Sequence, residues 1–115
     1  MINRSKVETF IGFAIKSRSI SMGSNTIATL KRAYLIIVCD SASEGTKKTA
    51  QSYANKFSCP LMVSKILIED IVLKENCKVL ALTDKNLAKA IIENQNENFS
   101  ISSGGNGLEY GRKTG

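Results

Sequence analysis

The side chains that most often perform catalysis or bind metals are scarce in this sequence of 115 residues. It contains no histidine, which excludes Ser-His and Cys-His nucleophile pairs and metal sites built on imidazole. Its three cysteines, Cys39, Cys59 and Cys77, are odd in number and lack the Cys-x-x-Cys spacing of zinc sites. We therefore expect buried, reduced thiols, with no disulfide framework, no metal site and no cofactor.

Carboxylates and glycine-rich loops give no enzyme signature either. Asp40 and Asp84 each follow an apolar run, where α/β proteins place ligands, but no motif brings two acids together for acid–base catalysis. Asp84 is better explained as a helix cap. The sequence lacks both G-x-x-x-x-G-K-[ST] and a G-x-G-x-x-G that follows a strand, and Gly104-Gly105-x-Gly107 is typical of a linker. We predict that the protein is not an enzyme.

The charge favours a polyanionic partner. The formal net charge is +6, and residues 1–65 carry ten basic and three acidic side chains, whereas residues 66–115 carry six and seven. A basic half on a small domain is typical of nucleic-acid binding, although a solvated surface with a modest bias explains it equally well. Because no aromatic stripe is interleaved with Lys or Arg, we expect any RNA to be recognised by its shape and phosphates.

One stretch, Gly23-Ser24-Asn25-Thr26, has residue types suited to an RNA contact. It precedes a short apolar pattern and predicts a helix start, which offers free backbone N–H groups to phosphate. Gly23 allows close approach, and the Asn25 carboxamide can both donate and accept on a base edge. We place Lys31 and Arg32 at the far end of the same helix. The alternative is an ordinary capped turn.

Helices and strands alternate along the rest of the chain. Val7, Phe10, Ile11, Ala14 and Ile15 define one face of a first helix, and Ser5-x-x-Glu8 has the spacing of a capping box. Gly12 within it suggests a close approach by a neighbouring element. Three further helices are predicted. One is capped by Thr46, one lies around residues 67–72, and one is capped by Thr83 or Asp84. Strands are predicted at 18–22, 34–39, 61–63 and 79–82.

This alternation predicts an α/β fold, a three-layer α/β/α sandwich around a small mixed four-stranded sheet. From residue 96 the pattern stops and glycine, asparagine and serine prevail, so we predict a domain over 1–95 and a flexible tail over 96–115. No apolar run approaches the roughly 20 residues that span a bilayer, and no signal segment is visible. We expect a soluble, cytoplasmic monomer without membrane contact.

Five stretches in order resemble the kink-turn-binding ribosomal protein family (L-seven-Ae, L-thirty-e and S-twelve-e type), and most closely its bacterial YlxQ branch. The most specific is Tyr34-Leu35-Ile36-Ile37-Val38-Cys39-Asp40-Ser41-Ala42-Ser43-Glu44-Gly45-Thr46-Lys47-Lys48, which is similar to "LVIIAEDASENTKK". The others are Phe10-Ile11-Gly12-Phe13-Ala14-Ile15-Lys16, Ser21-Met22-Gly23-Ser24-Asn25-Thr26, Cys59-Pro60-Leu61-Met62-Val63 and Val79-Leu80-Ala81-Leu82-Thr83-Asp84-Lys85-Asn86-Leu87-Ala88-Lys89-Ala90-Ile91.

The resemblance implies the same sandwich fold and a non-enzymatic protein that binds kink-turn RNA. Such RNA is sharply bent and carries sheared G·A pairs. It implies a ribosome-associated role, with ribosomal RNA and ribosomal proteins as partners. The implied RNA contacts form three segments, with Lys31 or Arg32 near phosphate and Asn25 at a sheared G. The segments are Gly23, Ser24, Asn25 and Thr26; Asp40, Ser41, Ala42 and Ser43; and Val63, Ser64, Lys65 and Ile66.

A second hypothesis is a protein–protein adaptor that keeps the fold but has lost strong RNA binding. Strong kink-turn binders of the family carry an acid and a lysine where this chain has Thr26 and Thr29. The connection that leads to Tyr34 is also about two residues shorter than in the family.

Overall fold

The computed structural model describes residues 5–72, 74 and 77–102, over which five helices alternate with five strands. The elements in chain order are α1 (Lys6–Lys16), β1 (Ile20–Met22), α2 (Ser24–Ala28), β2 (Leu35–Cys39), α3 (Glu44–Phe57), β3 (Leu61–Ser64), α4 (Ile68–Val72), β4 (Val79–Leu82), α5 (Lys85–Glu93) and β5 (Phe99–Ile101).

The strands form one mixed sheet in the order β1-β4-β2-β3-β5. Among the neighbouring pairs of these strands only β2–β3 is parallel, with Val38 opposite Val63, and the helix α3 makes the crossover that parallel neighbours require. The pairs β1–β4, β2–β4 and β3–β5 are antiparallel. The predicted α/β class with a mixed sheet is confirmed, and the sheet has five strands where the sequence predicted four.

The helices pack in two groups, and together with the sheet they make the predicted three layers. The helix α1 contacts α4 and α5, whereas α2 contacts α3, and α3 packs on β2 and β3. Every residue of the central strands β2 and β4 is buried, because helices cover both of their faces. This burial on both faces explains why the sequence is continuously apolar over β2 and β4.

Local sequence signals explain most helix starts. The Ser5–Glu8 capping box is present on α1, and Asp84 caps α5 by accepting from the N–H groups of Asn86 and Leu87. The third helix is capped by Ser43, whose Oγ accepts from the Thr46 N–H, so the prediction of Thr46 as the cap is wrong. An added Cβ at Gly12 would meet nothing within 4 Å, so the expected close approach is absent.

The strand β5 corrects the predicted boundary at residue 96. Residues 99–101 pair with β3, and Phe99 is fully buried in the core. In this short period-2 pattern Phe99 is buried and Ile101 packs against the core, while Ser100 is exposed, but the surrounding asparagines and serines mask the pattern in the sequence. The segment 96–102 therefore belongs to the domain, and the remainder of the predicted tail, 103–115, lies outside the described residues.

Candidate nucleic-acid interface

The sheet topology brings all three predicted RNA-contacting segments to one end of the molecule. Since β2 and β3 are parallel, the loops that follow Cys39 and Ser64 leave from the same end. The strand β1 is antiparallel to β4, which is antiparallel to β2, so the turn after Met22 reaches that end too. We call this end the loop face and define it by residues 23–26, 40–43 and 63–66.

Backbone hydrogen bonds tie the segments of the loop face into one row. The Gly23 N–H donates to the Val79 carbonyl at 3.1 Å, and the Cys39 N–H donates to the Lys78 carbonyl at 2.9 Å. The Asp40 N–H donates to the Ser64 carbonyl at 2.8 Å. With neighbouring strands about 4.8 Å apart, the three spacings from β1 to β3 make the row about 14 Å wide. Hydrogen bonds to the strands of the sheet therefore fix the positions of the segments relative to one another.

The first segment begins α2 and offers unshielded donors. Gly23 is the N-cap with φ of +89°, a backbone conformation that glycine adopts without strain, and no side chain caps the helix. The first-turn N–H groups therefore lack the side-chain acceptor that α1, α3 and α5 each have.

Asn25 is exposed, as an RNA contact requires. Within the described residues its carboxamide makes no hydrogen bond, so both its donors and its acceptor are available. The helix beneath it is held by α3, because the Tyr53 hydroxyl donates to the Ser24 carbonyl at 2.8 Å and Lys56 Nζ donates to the Ala28 carbonyl at 3.3 Å. The Asn25 carboxamide is therefore available to a ligand, while the helix that carries it is held in place.

The second and third segments are stabilised by hydrogen bonds of their own buried side chains. Ser64 is fully buried, and its Oγ donates to the Ile66 carbonyl at 2.6 Å while accepting from the Ile66 N–H at 3.2 Å. Cys39 Sγ lies 3.0 Å from Ser41 Oγ. Ser64 and the nearly buried Ala42 therefore shape the loops and present no side chain to solvent, which leaves a side-chain contact by either residue without support.

The remaining predicted contacts divide by exposure. On the loop face, Val63 and Ile66 are half-buried, as are Gly23 and Ser24 in the first segment. The side chains that reach solvent are those of Asn25, Thr26, Asp40, Ser41, Ser43 and Lys65.

Lys31 and Arg32 lie away from the loop face. The helix α2 ends at Ala28, and both residues belong to the connection that enters β2 at Leu35, the opposite end of that strand. The Tyr34 N–H donates to the Leu82 carbonyl there, at the far end of β4. The prediction that α2 carries Lys31 and Arg32 is wrong, and the length of β2, about 16 Å for five strand residues, separates them from the loop face.

The charge near the loop face is mixed. Lys65 of the third segment and Lys47 and Lys48 in the first turns of α3 supply three cations, against the exposed acids Asp40 and Glu44. The neighbouring Lys78 pairs with Glu69 at 2.5 Å, and this hydrogen bond raises the pKa of Lys78. Its charge is therefore already compensated by Glu69.

A shallow cleft of about 270 Å³ adjoins the loop face between α3 and β3. This volume lies just below the range of about 300–1,000 Å³ that is typical of small-molecule sites. No group of three metal-ligating side chains occurs among the described residues. The cleft is lined by Val38, Asp40, Lys47, Lys48, Gln51, Leu61, Val63 and Ser102.

The cysteines behave as structural thiols. All three are free, with Cys39 and Cys77 buried. Desolvation raises the pKa of Cys59 to about 12, and it also raises the pKa of Cys77. Both thiols are therefore protonated near neutral pH and are poor nucleophiles.

Comparison with known proteins identifies the fold without a function. No protein-family model and no curated protein matches the sequence. Among solved structures, the chain is similar to a protein of unknown function from Bacillus halodurans C, with a TM-score of 0.69 at 17% identity. The match covers 76% of this chain and 94% of that chain. No helix in the described ranges has the length and apolarity that crossing a bilayer requires.

Proposed function

We propose that the protein is a non-enzymatic RNA-binding protein that recognises structured, kink-turn-like RNA through the loop face. The observation that carries this proposal is the meeting of three separate segments at one end of the sheet, since the family resemblance assigns RNA contacts to those same segments. They are 14 to 40 residues apart in sequence and adjacent in space. The proposed partners are ribosomal or other kink-turn RNA in the cytoplasm, on or near the ribosome.

The chemistry of the loop face suits folded RNA. The uncapped N–H groups of residues 24–26 are donors for phosphate oxygens, and the Asn25 carboxamide suits a base edge. Lys47, Lys48 and Lys65 add phosphate contacts. The described part of the chain presents no aromatic row on this face, so recognition depends on the shape of the RNA.

The first experiment compares a kink-turn RNA with a straight duplex of equal length. Neutralising about three phosphates gives a loss of affinity of about 20- to 40-fold between 50 and 200 mM salt. We expect the kink-turn RNA to bind more tightly at both concentrations. Equal affinity for the two RNAs, or no detectable binding, would contradict the proposal.

The second experiment replaces Asn25 by alanine. Losing a polar base contact costs about 1–3 kcal/mol of binding. The melting temperature stays unchanged, because the carboxamide has no hydrogen bond within the described residues. The matched control is Asn55→Ala, which removes an exposed carboxamide near the end of α3, away from the loop face. A loss of stability with unchanged affinity would assign Asn25 to the fold alone.

The adaptor hypothesis is favoured by one exposed aromatic side chain. Phe13 is 50% exposed on α1, next to Phe10, in the helical layer opposite to α2 and α3. An adaptor would retain its protein partner after nuclease treatment and lose it on Phe13→Ser. An RNA-binding protein would lose its co-purifying partners to nuclease and be indifferent to that substitution.

A further inference from the structure

A fourth turn lies on the same end of the sheet as the loop face. Since β5 is antiparallel to β3, with Phe99 opposite Ser64, the residues that precede Phe99 stand next to the third segment. The Lys65 N–H donates to the Asn98 carbonyl at 2.8 Å. Residues 96–98 thus extend the row of segments to the edge of the sheet.

This turn is held in one conformation by its own side chains. Asn96 Oδ1 accepts from the N–H groups of Asn98 at 2.8 Å and Phe99 at 3.2 Å. Gln95 Oε1 accepts from the Ile101 N–H at 2.8 Å. Because the Phe99 ring is fully buried directly after the turn, the turn is anchored to the core.

Within the described part of the chain, the Asn98 carboxamide is the unused polar group of this turn. Its backbone is committed, through the N–H to Asn96 and the carbonyl to Lys65, but its side chain has no hydrogen-bond partner there. It is partly exposed. A carboxamide offers two donors and an acceptor, which suits a base edge, whereas the exposed Glu97 beside it disfavours phosphate.

We propose that residues 96–98 form a fourth RNA-contacting segment, in which the Asn98 carboxamide hydrogen-bonds an RNA base edge next to Lys65. The inference rests on the proposed function and extends it beyond the segments that the family resemblance implies. Asn25 and Asn98 then lie near opposite ends of a row about 19 Å wide, so a bound RNA contacts the full width of the sheet.

The test measures affinity for the kink-turn RNA with Asn98→Ala, Asn98→Asp and the control Asn55→Ala. We expect Asn98→Ala to weaken binding about tenfold, and Asn98→Asp to weaken it at least as much, because the aspartate keeps the shape but loses the amide donors. Asn55→Ala should bind like the wild type. Removing the nearby acid with Glu97→Gln should strengthen binding about twofold.

The outcomes separate the two proposals. If the wild type binds the kink-turn RNA and both Asn98 variants bind it equally well, the fourth segment is wrong and the proposed function stands. If the wild type does not bind, both are overturned. A fall in melting temperature for Asn98→Asp as well as Asn98→Ala would show a structural role for the side chain and would overturn the inference.

Discussion

Replacing Phe99 by alanine tests whether residues 96–102 belong to the folded domain. Phe99 is 0% exposed, and fully burying a phenylalanine side chain is worth about 1.5–3 kcal/mol in transfer free energy. The cavity left behind raises the expected loss of unfolding free energy to about 3–5 kcal/mol. For a domain of this size the melting temperature should fall by about 12 °C or more.

Phe13→Ala is the matched control, because it makes the same substitution at a ring that is 50% exposed. Half of the transfer term is lost there, while alanine improves the helix propensity of α1, so we expect a net loss of at most about 1 kcal/mol. Urea unfolding followed by circular dichroism measures both variants. Similar losses for the two, or a loss below about 1 kcal/mol for Phe99→Ala, would refute the assignment of β5 to the core.

Two further predictions concern stability and thiol chemistry. Gly12→Ala should raise the free energy of unfolding by about 0.5–1 kcal/mol, measured by the same urea titration, because a new Cβ meets nothing within 4 Å; a loss would indicate an approach that the structure does not show. Cys59 should resist iodoacetamide at pH 8 in the folded protein, since burial raises its pKa to about 12 and leaves little thiolate. Labelling of the folded protein as fast as in urea would contradict the raised pKa. Because the unfolded chain loses this proton near pH 9 and the folded protein only near pH 12, the free energy of unfolding falls as the pH rises from 9 towards 12.

The sequence predicted the elements whose local signals agree with their tertiary surroundings. The apolar face of α1, the Ser5–Glu8 box and the Asp84 cap are each contained within one helix, and the buried runs of β2 and β4 have no competing interpretation. By contrast, β5 is three residues long and lacks a local signal strong enough to separate it from the asparagine-rich stretch around it. Its stability comes from Phe99 inserting into a core built by other elements.

The meeting of the three candidate segments could be anticipated from the sequence, whereas the position of the charged side chains around them could not. The three segments meet because of the strand order, and the family resemblance implied their meeting before the order was known. Lys31 and Arg32 were placed by assuming that α2 carries them, but α2 ends at Ala28 and the chain then crosses to the far end of β2. The error therefore lies in the length of α2, which ends about one helical turn before Lys31.

Under the proposed function, that displacement changes which basic side chains contribute to RNA binding. With Lys31 and Arg32 near the start of β2 and Lys78 paired with Glu69, short-range phosphate contacts fall to lysines 47, 48 and 65. The remaining excess of positive charge acts over the Debye length of about 10 Å and steers encounter more than it holds the complex. In this proposal, affinity comes mainly from two polar side chains at fixed positions, Asn25 on the loop face and Asn98 in the adjoining turn, whose carboxamides make no hydrogen bond within the described residues. Under the proposed function, bent RNA is distinguished from straight RNA by whether it can contact both ends of a rigid row about 19 Å wide at the same time.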